Sequence, residues 1–230
     1  MEITEKATQQ TAVSNTSFWK DNQLYIIGFF LLWGIACFLL MGIIHKGDET
    51  IFFAEQRTGL LNSFFIFCTY IGEGYVYAIA CTIFIILDRP KCVAIGINAG
   101  LVLLVSGGLK YYFKHERPVR YFNDLLQQSE LPNYIPDVVL LDGWTTSFPS
   151  GHTTSAFAFY SLLAFFVPNK AFKLFCLLCA VLVGVSRIYL VQHFLKDVTT
   201  GMLTGFIVAL VVYWGYQRYI DTKMSNDALS

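Results

Sequence analysis

The chain has 230 residues, with 16 basic and 16 acidic side chains, so it lacks the basic surface of a nucleic-acid binder. Hydrophobic residues make up 55% and charged residues only 14%, against about a quarter charged in an ordinary soluble domain. The length suits one domain over 1–230, and the recurring apolar runs point to an all-α, membrane-spanning protein.

Residues 1–20 are polar and have no apolar core of the kind a cleaved signal carries. They read as a mobile tail, as do residues 221–230. The first apolar run, 24–44, has 21 residues without a charge and predicts a retained spanning helix. A polar loop over 45–59 follows, with Glu49 and Arg57 among its charges. Residues 60–70 are apolar but interrupted by Asn62 and Ser63, which suggests a segment along the interface before a second span over 71–87. Glu73 falls at the start of that span, between Gly72 and Gly74, where a charge still reaches water. A polar turn at 88–91 leads to a third helix over 92–112, then to a long polar segment over 113–148. A fourth helix starts near Ser150 and ends before Pro168, a fifth covers 171–190 and a sixth 194–217.

Six crossings place both termini on one side. Raw counts of basic residues are equal on the two sides, but the short turns at 88–91 and 168–173 are both basic. The positive-inside tendency then puts the termini in the cytoplasm. Trp19, Tyr25, Trp144, Tyr213 and Trp214 read as interfacial anchors. The six cysteines lie in or beside apolar segments and read as small buried hydrophobes, with no disulfide framework or metal set.

Chemistry-bearing residues concentrate in the second half. Lys110 and Arg117 are seven apart, so on a continuing helix both project from one face, and Pro118 then ends or redirects that helix. A guanidinium fork and an ammonium suit phosphate oxygens; the bland alternative is a basic interfacial collar with Lys114 and Arg120. In the run Pro149-Ser150-Gly151-His152, Ser150 can cap a helix or bind phosphate and Gly151 admits close backbone approach. The helix start offers free N–H groups, and His152 sits where a proton could pass to a leaving oxygen. Ser186-Arg187 precede a tight connection to His193, and Asp197 is four residues further on. If 193–197 is helical, the carboxylate can hold one imidazole nitrogen as N–H and leave the other to attack. A surface His–Asp pair is the plain alternative.

In this order the three clusters resemble the type 2 phosphatidic acid phosphatase superfamily, whose pattern is K-x6-R-P, P-S-G-H and S-R-x5-H-x3-D. All eleven specified positions are matched, by Lys110, Arg117, Pro118, Pro149, Ser150, Gly151, His152, Ser186, Arg187, His193 and Asp197. The match covers about 105–200, and the predicted spans extend it across most of the chain. The resemblance implies a six-helix bundle with its active site at the outer membrane face. It implies that His193 is the nucleophile of a phosphohistidine intermediate, that Asp197 orients it and that His152 protonates the leaving group. It implies phosphoryl binding by Lys110, Arg117, Ser150, Gly151 and Arg187, with no metal and no cofactor. Vanadium haloperoxidases share the family, but the spans here argue against that role.

The resulting expectation is a lipid phosphatase whose partners are membrane lipids and a lipid phosphate substrate. Phosphatidic acid, phosphatidylglycerol phosphate, undecaprenyl diphosphate and lipid A phosphates are all candidates. The alternatives are a lipid phosphotransferase on the same fold and a non-catalytic lipid-binding or transport protein. No Asn-x-Ser/Thr sequon falls in the predicted outer loops, which favours a bacterial inner membrane, with the site periplasmic. His115 reads as a bystander, and Trp144 and Phe148 as possible walls of a lipid access path.

Overall fold

The computed structural model describes residues 2–40, 42–125, 135 and 147–227, and the described residues contain α-helices and no strands. In chain order the helices are α1 (Glu2–Leu40), α2 (Asp48–Glu55), α3 (Gly59–Tyr70), α4 (Tyr75–Leu87), α5 (Arg89–Phe113), α6 (Pro118–Leu125), α7 (Gly151–Phe166), α8 (Lys170–Tyr189) and α9 (Leu195–Asp227). The stretches read as tails are helical as far as Glu2 and Asp227. Neither contains Gly or Pro to stop the helix that adjoins it.

Four helices are long and apolar enough to cross a membrane, and α3 with α4 would make a fifth span bent by 51°. The break at 71–74 contains Gly72, Glu73 and Gly74. Tyr160 on α7 stabilises it by donating to the Ile71 carbonyl at 2.9 Å. Residues 60–70 thus form one arm of a bent pair and pack on α8. The fourth predicted segment, α7, has 16 residues, fewer than the roughly 20 a perpendicular crossing needs. Large apolar side chains such as Leu31, Phe38, Ile86, Leu103 and Leu104 point outward, as lipid-facing surfaces require.

The centre of the bundle is α7, packed between α8 and α9. Two glycines of α9 bring the backbones together. A Cβ at Gly205 would lie 2.4 Å from the Thr154 carbonyl, and one at Gly201 would lie 2.9 Å from that of Ser150. Small residues four apart permit this approach between membrane helices. Aromatic side chains fill the remaining space: Phe29 stacks on Phe206 at 4.0 Å, with Phe157 and Phe165 edge-on nearby.

Two predicted anchors prove to be core. Tyr25 is fully buried, its hydroxyl 2.8 Å from Ser161 Oγ, and Tyr213 is buried against Phe18 and Phe165. Their polar tips find protein partners, so they need no interface. Trp19 is exposed, and Trp144 lies outside the described residues. Lys173, one of the turn cations, is buried and donates to Asn22 Oδ1.

Candidate active site

The three sequence clusters meet at one end of the bundle. Lys110 lies in the last turn of α5, but the helix does not continue to Arg117. It stops at Phe113, with Lys114 in the left-handed region at φ 47. Residues 114–117 are non-helical, and Pro118 opens α6 rather than ending a helix. The cause is local: a residue before proline disfavours the α region, and proline is pre-set for a first helical turn. Arg117 therefore reaches the site from a connecting strap and donates to the Gln192 carbonyl at 3.1 Å, which ties the strap to the α8–α9 link.

Ser150 is the N-cap of α7, accepting from Thr153 N–H at 3.4 Å and from Thr153 Oγ1 at 2.9 Å. Its own hydroxyl hydrogen remains available to a ligand. The Ser150 N–H donates to the Asp197 carbonyl at 3.0 Å, so the start of α7 is pinned to the start of α9. Gly151 faces Lys110: a Cβ there would lie 3.2 Å from the ammonium. The Lys110 charge thus rests against the free N–H groups at the head of α7.

Arg187 is buried near the end of α8. Its Nη1 donates to Thr69 Oγ1 at 2.6 Å, and its Nε has no partner among the described residues. Thr69 also pairs with Ser186 Oγ at 3.0 Å, so α3 positions this guanidinium. A buried N–H without an acceptor is costly, and it is available to an anion.

His193 sits in the short link before α9 and is buried. Burial pushes its imidazole down to about 3, with Asp197 opposing and the Arg117 and Arg187 cations adding. The ring is therefore neutral near neutral pH. His193 precedes α9, and its Nδ1 lies 3.6 Å from Asp197 Oδ2, beyond a hydrogen bond. That carboxylate oxygen instead accepts from Ser147 Oγ at 2.5 Å and from the Phe194 N–H at 3.0 Å. Ser147 Oγ is also 3.2 Å from His193 Nδ1.

His152 Nε2 is 3.8 Å from Glu73 Oε1, across the break between α3 and α4. The ring feels the charges of Arg187, Lys110 and Arg117 and the imidazole of His193. Lys110, Gly151, His152 and Glu73 line one end of a cavity of about 750 Å³. Its remaining walls, between α4 and α5, include Tyr77, Ala99, Val102 and Leu103. Tyr77 keeps these helices in place by donating to Asn98 Oδ1 and lying within 3.0 Å of the Ser155 carbonyl.

The PAP2 superfamily profile matches residues 65–221. The chain belongs to the PAP2 superfamily. Among PAP2 relatives, the phosphatidylglycerophosphatase B of Bacillus subtilis is 33% identical over 49% of this chain and 64% of its own length. The lipid A 4'-phosphatase of Porphyromonas gingivalis is 27% identical over 68% of this chain and 66% of its own length. The match covers less than two thirds of the phosphatidylglycerophosphatase and 32% of a probable diacylglycerol pyrophosphate phosphatase of Schizosaccharomyces pombe. The crystal structure of Aquifex aeolicus LpxE superposes with a TM-score of 0.59 at 28% identity, over 73% of this chain and 94% of that one. A transmembrane PAP2 phosphatase structure from Bacillus subtilis shares the fold, with a TM-score of 0.58 at 22% identity, over 84% of this chain and 96% of that one. Together with the apolar helices, the PAP2 fold makes this an integral membrane protein.

Sequence reasoning missed Ser147 and Thr69. Neither stands in a distinctive local pattern, and both act through contacts across more than 45 positions of chain. His115 lies in the strap, its carbonyl accepting from the Ser147 N–H at 2.7 Å and its ring against Phe113 and Phe148. Phe148 thus packs on the strap, while the apolar cavity opens on α4 and α5.

Proposed function

We propose that this chain is a membrane lipid phosphatase that hydrolyses a lipid phosphomonoester or diphosphate through a phosphohistidine. The observation that carries the reading is the single cavity that joins a cationic end, with Lys110 and Gly151, to apolar walls at Ala99, Val102 and Leu103. A phosphate headgroup fits the first part and an acyl or prenyl tail fits the second. Relatives named for phosphatidylglycerol phosphate and lipid A support the same class.

In this mechanism Lys110, Arg117 and Arg187 hold the phosphoryl oxygens, with the Ser150 hydroxyl and the Gly151 N–H as further donors. The neutral His193 attacks phosphorus through Nε2 as the bond to the leaving oxygen breaks, and His152 gives that oxygen a proton. Asp197 stabilises the positive charge that develops on His193. Water, losing its proton to His152, then cleaves the N–P bond, which releases inorganic phosphate and restores both histidines. Three fixed cations and the helix-end N–H groups supply the charge stabilisation that such a transfer requires.

Purified protein in mixed micelles, with EDTA present, tests this. It should release phosphate from one of four offered classes: phosphatidic acid, phosphatidylglycerol phosphate, undecaprenyl diphosphate or a lipid A phosphate. His193→Ala should release none while remaining folded. Full activity in that variant would sink the mechanism. Substrate loss without matching free phosphate would indicate transfer to another acceptor, and inertness toward every lipid would indicate a binding protein.

A further inference from the structure

We propose that Ser147 is the positioning residue of the nucleophile, a hydroxyl bridge that links the Asp197 carboxylate to His193. The inference rests on the reading that His193 attacks phosphorus. Its basis is the geometry of three buried groups. The carboxylate and the imidazole are 3.6 Å apart at Oδ2 and Nδ1, too far for a direct bond. Ser147 Oγ sits between them, at 2.5 Å from Oδ2 and 3.2 Å from Nδ1.

A hydroxyl has one hydrogen and two lone pairs. The 2.5 Å contact is a charge-assisted O–H···O bond, so the hydrogen belongs on the carboxylate side. The serine oxygen then faces Nδ1 with a lone pair, and Nδ1 must carry the ring proton. That tautomer leaves Nε2 bare, as attack on phosphorus requires. Ser147, His193 and Asp197 are all buried, so bulk solvent does not screen these contacts.

The serine is itself fixed. Its N–H donates to the His115 carbonyl at 2.7 Å, and three residues later the Ser150 N–H donates to the Asp197 carbonyl at 3.0 Å. One short segment thus contacts both the side chain and the backbone of Asp197. The other carboxylate oxygen, Oδ1, has no partner among the described residues, so it offers no second route to the ring.

Two readouts test the proposal. In Ser147→Ala, kcat should fall about 100-fold, the scale expected for a misplaced reacting group, while KM stays within twofold. Ser147→Thr, which keeps the hydroxyl, should recover most of that loss. Nitrogen-15 labelling of the four histidines gives the second readout, with the His193 signal assigned by its disappearance in His193→Gln. The parent protein should show His193 protonated at Nδ1 and bare at Nε2, and Ser147→Ala should shift it toward a mixture of tautomers. An Nε2-protonated ring in the parent would overturn the proposal without any serine variant. Unchanged kcat and an unchanged tautomer in Ser147→Ala would do the same. A parent that hydrolyses no lipid would defeat the phosphatase reading instead, and the tautomer measurement would still stand.

Discussion

At the scale of single residues, the proposed mechanism needs a neutral imidazole in a strongly cationic corner. The His193 ring titrates near 6.5 in the unfolded chain and at about 3 in the folded protein. Between those values the unfolded chain binds more protons, so this group's contribution to stability is full above about 6.5 and is lost as pH falls toward 3. The slope is at most about 1.4 kcal/mol per pH unit. Melting temperatures between pH 7 and pH 5 should therefore drop further for the parent than for His193→Gln, and parallel curves would refute this. The eight residues proposed for the site stand out in the sequence because their side chains carry the chemistry and stand at fixed spacings. Ser147 and Thr69 do not, because each earns its place by a contact made only on folding. Thr69 reaches Arg187 across 118 positions, which no local pattern encodes.

At the scale of elements, α9 is held against α7 by two glycines that leave no room for a side chain. Gly205→Val would drive a methyl group into the Thr154 carbonyl, and overpacking of this kind costs about 1–3 kcal/mol or more. The variant should melt several degrees lower in detergent and lose turnover, because the same helix pair, one turn nearer the site, seats Ser150 against Asp197. Gly215→Val, where the added Cβ has open space, serves as the control and should melt like the parent. Apolar runs gave most helices to within a few residues, since burial in a bilayer leaves few other ways to satisfy the backbone. Several details escaped that logic. The loop read over 45–59 contains α2. The seven-residue spacing of Lys110 and Arg117 was read as helix, yet Lys114 turns left-handed ahead of Pro118. Tyr25 and Tyr213 looked like interfacial anchors because hydropathy cannot reveal a buried partner such as Ser161.

At the scale of the whole molecule, we propose six crossings, cytoplasmic termini and a site on the outer face of a bacterial inner membrane. Reporter fusions test it. Alkaline phosphatase joined after Asn123 should be active, and the same reporter joined after Asn169 or Asp227 should be inactive. Activity at either of the last two positions would reverse the orientation. The protein's two tasks are also divided between different parts of the chain. The groups assigned to phosphate chemistry stand mainly on α7, α8, the strap and the head of α9, whereas the apolar cavity wall belongs largely to α4 and α5. Tyr77 joins the two helices to each other through Asn98 and to α7 through the Ser155 carbonyl. On this reading selection can reshape the wall at Tyr77, Ala99, Val102 and Leu103 for a longer, shorter or more rigid lipid tail while Lys110, in the last turn of α5, and the rest of the reaction centre stay as they are. One chemical engine can in this way serve lipids as unlike as a phosphoglyceride and a glycolipid.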